Sequence, residues 1–400
     1  MLYYINALLY HCTNTINRGN LCNDNESEGE RIMSGTKTNI QARDVLNRMK
    51  PYSPGKPVWE VQRELGLDHV VKLASNENPL GPSPRAVEAV HKLLTDIHRY
   101  PDAQAVDLRA AIAGKYGLAS EQIIVTNGGD ELITLVSEAF INTGDEIIVP
   151  GPSFSEYEFG GRLMGATIRT VALTEDYQYD VAAILEAVNE RTRLVYLCSP
   201  NNPTGTILRT SDLTELLNAL PPSVLVVYDS AYSHFVTEDD YSDGIEFVQA
   251  GYPVIVLQTF SKVYGLAGIR VGFGVASPSI IRAILQVKEP FNVNALAQAA
   301  AVAAINDEDH VRKTSRLVRE ERLRLYRGFE ELGLSYTPSM SNFILVQLGE
   351  EAEKRYVELM RRGVIVRYGA AWGLPQHVRI SVGTPEENRM LLEALGAILD

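Results

Sequence analysis

The feature that most constrains the fold is a series of short, almost wholly apolar runs, each of which ends at a turn or a polar cluster. These runs lie at Ile123–Thr126, Glu146–Val149, Leu194–Leu197, Val224–Tyr228, Val254–Leu257 and Val271–Val275. Segments with helical spacing of apolar residues follow several of them, as in Asp130–Phe140. Strands that are apolar on both faces and alternate with helices predict an α/β fold in which helices flank a buried, mostly parallel sheet.

The last hundred residues have a different pattern. Glu308–Leu332 predicts a long charged helix, and separate strands are predicted at Phe343–Gln347, Val364–Arg367 and Val378–Val382. This mixture is typical of a smaller α+β domain, with a boundary near Pro290, just before a helix predicted over Asn292–Ala304. We therefore expect a large domain over residues 73–290 and a small domain over 291–400. Residues 33–72 are expected to form an N-terminal arm and a part of the small domain.

The first 32 residues differ from the rest of the chain. Residues 14–30 are polar and rich in Asn and Glu, a composition that favours disorder. We interpret residues 1–32 as a disordered extension upstream of a natural start at Met33; a weak targeting signal is the alternative. Elsewhere no run of about 18 apolar residues occurs, so we predict no transmembrane helix and no membrane partner.

Composition excludes some classes of partner. The formal net charge of the 400 residues is −13, which argues against a nucleic acid, whose phosphates need a basic surface. The cysteines are Cys12, Cys22 and Cys198, and their spacing predicts neither a disulfide framework nor a metal site. We therefore expect a protein without a metal in a reducing compartment such as the cytoplasm.

Four polar segments follow apolar runs closely enough to share one edge of the predicted sheet. They are Ser199–Gly205, Tyr228–Tyr232, Thr259–Lys262 and Gly268–Gly272. Open parallel sheets bind their ligands beyond the carboxyl ends of the strands. The sequence therefore predicts a ligand site formed jointly by these segments.

Their side chains match the needs of a cofactor that carries an aldehyde on a pyridine ring. Lys262 can supply the amine that bonds covalently to the aldehyde. Asp229 can face the ring nitrogen and keep it protonated, so that the ring can accept electrons. Asn202 and Tyr232 can donate hydrogen bonds to a phenolic oxygen on the ring. The catalytic candidates are therefore Lys262, Asp229 and Tyr232.

A phosphate on the same cofactor would also find partners. Gly129 and Asp130 open a predicted helix, whose amino-terminal amides suit an anion. Ser261 offers a hydroxyl group, and Arg270 offers a planar charged fork. Phe154 is the first candidate to cover the face of the ring, with Tyr157 second.

Taken singly, each of these residues has an ordinary structural interpretation. A lysine after a strand is usually exposed to solvent, and Asn127-Gly128-Gly129 is also typical of a turn. Asp229 could cap a helix, and Arg270 could be a surface residue. The functional interpretation depends on their joint occurrence at successive strand ends.

This set of residues resembles the fold-type I aminotransferases, which use pyridoxal phosphate, over nearly all of the chain from about residue 48. Within them the chain is similar to the histidinol-phosphate aminotransferases. The stretches that carry the closer resemblance are Lys50–Tyr52, Leu73–Gly81, Arg99–Asp102, Gly128–Glu131, Pro290–Val293, Ser341–Phe343 and Arg379–Thr384. The resemblance implies a fold-type I architecture, with a large cofactor-binding domain and a smaller α+β domain.

The resemblance also implies further roles. Tyr100 would reach the cofactor phosphate of a neighbouring subunit, which makes a homodimer the functional unit. Arg379 would bind the α-carboxylate of glutamate and the phosphate of histidinol phosphate, since a guanidinium suits both anions. Tyr52 and Asn342 would line the substrate site, and Arg367 would contact the substrate phosphate or remain a solvated residue at a strand end.

The activity implied is amino transfer between histidinol phosphate and 2-oxoglutarate, a step of histidine biosynthesis. An aromatic amino acid aminotransferase and a threonine-phosphate decarboxylase of the same fold are the alternatives among enzymes. A transcriptional regulator with an aminotransferase-like domain would need an N-terminal DNA-binding domain. The 32 to 50 residues before the shared region are too short and too polar for one.

Overall fold

The computed structural model of the protein describes residues 40–49, 51 and 55–399. The chain divides into two compact units, Met1–Arg43 and Asp44–Asp400. Of the first unit only residues 40–43 are described, and they have no regular secondary structure. The predicted extension over residues 1–32 and the candidate Tyr52 lie outside the described residues.

Helices and strands alternate along the second unit. The α-helices are α1 (Val58–Leu65), α2 (Pro84–Leu93), α3 (Val106–Tyr116), α4 (Gly129–Phe140), α5 (Glu156–Met164), α6 (Val181–Ala187), α7 (Thr210–Ala219), α8 (Ile245–Gln249), α9 (Pro278–Leu285), α10 (Ala295–Ile305), α11 (Glu308–Glu331), α12 (Ala352–Arg361) and α13 (Pro385–Leu399). The strands are β1 (Val71–Lys72), β2 (Ile123–Thr126), β3 (Glu146–Gly151), β4 (Thr167–Ala172), β5 (Thr192–Cys198), β6 (Leu225–Asp229), β7 (Val254–Thr259), β8 (Gly272–Val275), β9 (Ser335–Thr337), β10 (Phe343–Gln347), β11 (Val364–Ile365), β12 (Arg367–Tyr368) and β13 (His377–Ser381). Short 3-10 turns lie at Asp44–Arg48, Leu94–Asp96, Ser120–Gln122, Ser233–Phe235, Ala267–Ile269 and Gly369–Trp372. Among the described helices, none combines the length and the apolar character needed to cross a membrane.

A seven-stranded sheet with the order β2-β8-β7-β6-β5-β3-β4 forms the centre of this unit. The pairs from β7 to β4 are parallel, and β8 is antiparallel to both of its neighbours. The prediction of an α/β fold with a mostly parallel sheet is therefore confirmed. The carboxyl ends of β5, β6 and β7 meet at one edge, where three of the predicted polar segments begin.

The sheet is buried on both faces, as its apolar strands predict. In β2 all four residues are buried, with Ile123 and Val125 in one core cluster and Ile124 in another. Leu132 of α4 and Ile281 of α9 belong to the second cluster, so these helices cover one face. The other cluster includes residues of α3 and α7. From β2 to β3 across the sheet, the strands are therefore covered by helices on both faces, whereas the edge strand β4 is mostly exposed or half-buried.

A second, antiparallel sheet has the order β12-β13-β10-β9 and packs with α11 and α12, and α13 packs against these two helices. Strand β1 pairs with β11 in a separate two-stranded parallel sheet, and the Ser381 amide donates to the Leu73 carbonyl. These bonds hold the residues after β1 against the end of β13. The predicted smaller α+β region is confirmed. The domain boundaries at residues 72 and 290 stay a prediction, and α10, beyond residue 290, packs against α2 and α3.

Candidate active site

A cavity of about 270 Å³ lies at the carboxyl edge of the seven-stranded sheet. The predicted residues that line it are Gly129, Asp130, Phe154, Asn202, Asp229, Tyr232, Ser261, Lys262, Arg270, Arg367 and Arg379. They come together because Asn202 follows β5, Asp229 ends β6, and Ser261-Lys262 follows β7. In a parallel sheet these three strand ends face the same side. The structure therefore gathers residues that are up to 250 positions apart in the sequence (Gly129 to Arg379).

Lys262 is half-buried, and it lines this cavity. Its Nζ donates a 3.3 Å hydrogen bond to the Ser75 carbonyl and lies 5.5 Å from the centre of the Tyr232 ring. Burial, and after it the nearby charge of Arg379, lowers the pKa of Lys262 to about 8. An amine with a pKa near neutrality is available in its nucleophilic, uncharged form.

Asp229 is a buried carboxylate whose hydrogen-bond donors, among the described residues, are all neutral. The Tyr157 hydroxyl donates to Oδ2 at 2.6 Å, and the Ala231 amide donates to Oδ1 at 3.0 Å. Burial raises the pKa of Asp229 to about 6, although both hydrogen bonds act to lower it. A protonated ring nitrogen placed beside this carboxylate would keep it ionised, and the carboxylate would keep that nitrogen protonated.

A cradle for an anion lies at the start of α4. Gly128 has a φ of 87°, and a Cβ atom added there would lie 2.3 Å from Arg270 Nη2. Arg270 donates to the Ser261 hydroxyl at 3.4 Å and to an oxygen of Asp130 at 3.3 Å. The missing side chain at Gly128 lets the guanidinium approach the amino-terminal amides of the helix. Amides and guanidinium together suit a phosphate group.

Arg379 forms a second cationic corner of the cavity, on β13 of the smaller sheet. Its Nη1 donates to Asn202 Oδ1, and its Nη2 donates to the Ala74 carbonyl at 2.7 Å. The guanidinium carbon lies 5.2 Å from the Phe343 ring and 5.0 Å from the Trp372 ring. Only 6 % of Arg379 is exposed. These contacts fix a buried cation within the same cavity as Lys262.

Asn76 connects these groups, and the sequence did not single it out. It has a φ of 56° and donates from Nδ2 to the Tyr232 hydroxyl at 3.0 Å. Its Oδ1 accepts from the Ser381 hydroxyl at 3.0 Å, and its carbonyl accepts from Asn342 Nδ2 at 2.9 Å. Asn76 lies in the Leu73–Gly81 stretch, but partners 156 and 305 positions away cannot be inferred from that stretch.

Two predicted residues that the structure describes are not among those that line this cavity. Asn342 is fully buried behind Asn76. Tyr100 is 83 % exposed, and its ring stacks on Phe291 with 4.8 Å between the ring centres. Tyr52 lies outside the described residues.

The donor set fits pyridoxal phosphate. An amine, a buried carboxylate and an anion cradle lie in one cavity, and they suit an aldehyde, a ring nitrogen and a phosphate respectively. The Phe154 ring meets the Tyr157 ring edge-on, at 5.6 Å and 80°. Tyr157, the second candidate to cover the cofactor ring, also lines the cavity, and its hydroxyl donates to Asp229. Among residues 40–49, 51 and 55–399, no group of three His, Cys, Asp or Glu residues could hold a metal ion.

Comparisons with known proteins agree with this chemistry. The family model of class I and class II aminotransferases matches residues 68–395. A histidinol-phosphate aminotransferase of Moorella thermoacetica is 49 % identical, over 90 % of this chain and 93 % of that protein. One from Symbiobacterium thermophilum is 45 % identical, over 89 % of this chain and 98 % of that protein. The crystal structure of histidinol-phosphate aminotransferase from Sinorhizobium meliloti in complex with pyridoxal-5'-phosphate has a TM-score of 0.83 at 27 % identity, and the match covers 92 % of this chain and 99 % of that one.

Proposed function

Because the chain belongs to the family of class I and class II aminotransferases, we propose that it moves an amino group between L-histidinol phosphate and 2-oxoglutarate, with pyridoxal phosphate as cofactor. The products are imidazole acetol phosphate and L-glutamate, and the reaction is a step of histidine biosynthesis. One observation carries the proposal: the amine of Lys262, the carboxylate of Asp229 and the guanidinium of Arg379 share one cavity.

In this proposal Lys262 and Asp229 act directly on the cofactor. When bound, pyridoxal phosphate supplies an aldehyde for amines and a ring that accepts the electrons left when a proton leaves the substrate α-carbon. Lys262 holds the aldehyde carbon at rest, and its freed Nζ then moves that proton. Asp229 holds a proton on the ring nitrogen.

Hydrogen-bond donors orient the ring. Tyr232 and Asn202 donate to the phenolic oxygen of the cofactor. The Tyr232 hydroxyl receives the bond from Asn76, so its own proton stays free for that oxygen. Gly129, Asp130, Ser261 and Arg270 bind the phosphate, and Phe154 covers the ring.

The substrate binds at the cationic corner. Arg379 receives the α-carboxylate of glutamate and, in the other half-reaction, the phosphate of histidinol phosphate. Arg367 lines the same cavity and adds a second guanidinium. Tyr52 is proposed to complete the lining. Asn342 contributes through its hydrogen bond to the Asn76 carbonyl.

The functional unit in this proposal is a homodimer. Tyr100 and Phe291 form an exposed aromatic pair, and the exposed apolar side chains of Leu94, Ile97 and Val106 lie near Tyr100 in the sequence. Exposed apolar groups of this kind are typical of an interface between protein chains. Across it, Tyr100 would reach the cofactor phosphate of the neighbouring subunit.

Complementation tests this arrangement. Coexpressed Lys262→Ala and Tyr100→Ala chains should have more activity than the sum of the two variants, because one site of each hybrid dimer keeps both residues. Additive activities would contradict the shared site.

A reducing, cytoplasmic location also belongs to the proposal. It is supported by a sequence with three cysteines and no disulfide spacing. Fractionation of cells that express the chain would test it.

A half-reaction panel tests the activity itself. The cofactor-loaded protein is mixed separately with histidinol phosphate, phenylalanine, tyrosine and threonine phosphate, and the conversion of the cofactor to its amine form is followed by absorbance. We expect the fastest conversion with histidinol phosphate. A preference for phenylalanine or tyrosine would favour an aromatic aminotransferase, and release of carbon dioxide from threonine phosphate would favour a decarboxylase.

The residue that carries the cofactor is tested separately. Borohydride should fix the cofactor on a single lysine peptide that contains Lys262, and Lys262→Ala should remove both the label and at least about 10³-fold of the activity. A label on another lysine would contradict the assignment.

A further inference from the structure

A second cavity, of about 360 Å³, continues from the cofactor cavity. The two share Phe154, Asn202, Arg367 and Arg379 as lining residues. The outer cavity extends between the start of α5 and the turn that contains Trp372. A substrate whose anionic end is held by the two arginines would therefore place its other end in this outer cavity. This step rests on the proposed function.

The charges of the outer cavity are unevenly distributed. Glu158 and Arg162 both line it, but they form an ion pair with each other at 2.9 Å. Glu156, one helical turn from Phe159, forms no ion pair with any described residue. The Ser155 hydroxyl donates a hydrogen bond to Glu156 Oε1 at 3.4 Å. Burial, and after it the charge of Asp130, raises the pKa of Glu156. A half-buried carboxylate that forms no ion pair with a described residue thus lines the outer cavity, whose shared wall carries two guanidinium groups.

Aromatic side chains line the outer cavity together with this carboxylate. Phe154, Phe159 and Trp372 line the same cavity and are each half-buried. Flat apolar walls accept a flat ring, and a carboxylate accepts a hydrogen bond from a ring N–H group or balances a ring cation. Imidazole is a flat ring, carries an N–H group and can become a cation, whereas a benzene ring is only flat. The cavity therefore has an anion end and an imidazole end.

We infer that Glu156 is a specificity-determining residue, whose carboxylate receives an N–H group of the substrate's imidazole ring while Arg379 and Arg367 hold the phosphate. The same carboxylate disfavours a phenyl ring, because that ring would cover Glu156 and leave its charge without a partner. The Glu156 carboxylate does not favour the binding of glutamate, since the γ-carboxylate of glutamate carries the same negative charge.

The test is Glu156→Gln, which keeps the size of the side chain and removes its charge. We expect the KM for histidinol phosphate to rise about tenfold, the size of one charged hydrogen bond, with little change in kcat. The KM for glutamate should stay the same or fall, and kcat/KM for phenylalanine should stay the same or rise. Glu138→Gln is the matched control, because Glu138 is an exposed glutamate on the neighbouring helix α4 and is not a lining residue of either cavity.

Two outcomes would overturn the inference. A KM for histidinol phosphate within twofold of the wild type would show that Glu156 does not bind the ring. An equal rise for histidinol phosphate and glutamate would show a general distortion of the cavity rather than recognition of imidazole. Failure of the proposed function is distinguishable from both, because the wild-type protein would then not convert histidinol phosphate in the half-reaction.

Discussion

Two buried carboxylates lie at opposite edges of the seven-stranded sheet, and they have opposite surroundings. Glu146 begins β3 and receives hydrogen bonds from the guanidinium groups of Arg169 and Arg191. The hydrogen bond from Arg169, and after it one from the Asn189 side-chain amide, lowers the pKa of Glu146 to about 2, although burial acts to raise it. Asp229 ends β6 and accepts hydrogen bonds from a phenol and an amide, and burial raises its pKa to about 6.

This difference in surroundings indicates that Glu146 stabilises the fold, whereas Asp229 is available to interact with a ligand. At the amino edge of the sheet the protein supplies the cations itself, so the charge of Glu146 is already balanced in the folded chain. At the carboxyl edge the charge of Asp229 remains costly until a cation arrives with a ligand. A shifted pKa therefore indicates a functional group best where the buried charge is not balanced by an opposite charge of the protein itself.

The largest expected effect concerns Asp229→Asn. This change keeps the shape of the side chain but removes the charge that holds a proton on the ring nitrogen, so kcat/KM should fall on the order of 100-fold or more. Stability of the cofactor-free protein should rise or stay the same above about pH 6. The measurements are steady-state kinetics and urea unfolding of the two proteins.

The ionisation of Asp229 should make the stability of the cofactor-free protein depend on pH. The folded pKa of Asp229, about 6, lies above its usual value of 3.8. Its ionisation therefore costs stability progressively as the pH rises from about 4 to about 6. The cofactor-free wild type should lose stability relative to Asp229→Asn over this range. A variant that is less stable at pH 7 and fully active would contradict the comparison.

An intermediate effect is expected for Glu146→Gln. Loss of charged hydrogen bonds should lower the free energy of unfolding by roughly 2 kcal/mol, while the kinetic constants of the enzyme stay the same. Since the folded pKa lies below the usual 4.5, the contribution of Glu146 is complete above about pH 4.5 and is lost as the pH falls towards about 2. The gap between variant and wild type should close over that range. A gap that persists at the acidic end would show that packing, not charge, causes it.

The smallest effect is expected for Arg389→Gln on α13. Arg389 forms ion pairs with Glu386 and Glu393, but all three side chains are more than half exposed. Solvent screens such pairs, so neither the thermal midpoint nor the activity should change measurably. A loss of stability equal to that of Glu146→Gln would show that the number of ion pairs, rather than their burial, decides their contribution.

The sequence predicted the fold best where burial is complete. The predicted ranges of β2 and β10 match the observed ones, because every residue of a buried strand is apolar or nearly so. Strand β4 was not predicted, because it is an edge strand with mostly exposed or half-buried residues and no continuous apolar run. The single strand predicted over Val364–Arg367 is two, β11 and β12, which belong to different sheets. Sheet membership depends on distant partners and has no local signal.

In the candidate site, too, the sequence predicted the residues that have a local pattern and missed the partners that depend on tertiary structure. Lys262, Asp229 and Asn202 were predicted because each follows an apolar run, so a local pattern located them. The carbonyls of Ala74 and Ser75, which accept from Arg379 and Lys262, were not predicted, since any residue offers a carbonyl. The partnership of Tyr157 with Asp229 spans 72 positions and depends on how α5 packs against the sheet.

The hydrogen bonds of Arg379 also bear on how the chain reaches its folded state. They tie β13 to Asn202 and to Ala74, across 177 and 305 positions of sequence. Bringing such distant segments together costs more chain entropy than closing any local turn, so these contacts are poor starting points for folding. Lys262, the proposed cofactor residue, follows a strand of a sheet whose strands are mostly near neighbours in sequence. During synthesis on the ribosome, the surface that holds Lys262 can form while Arg379, the proposed substrate-binding residue, is still untranslated.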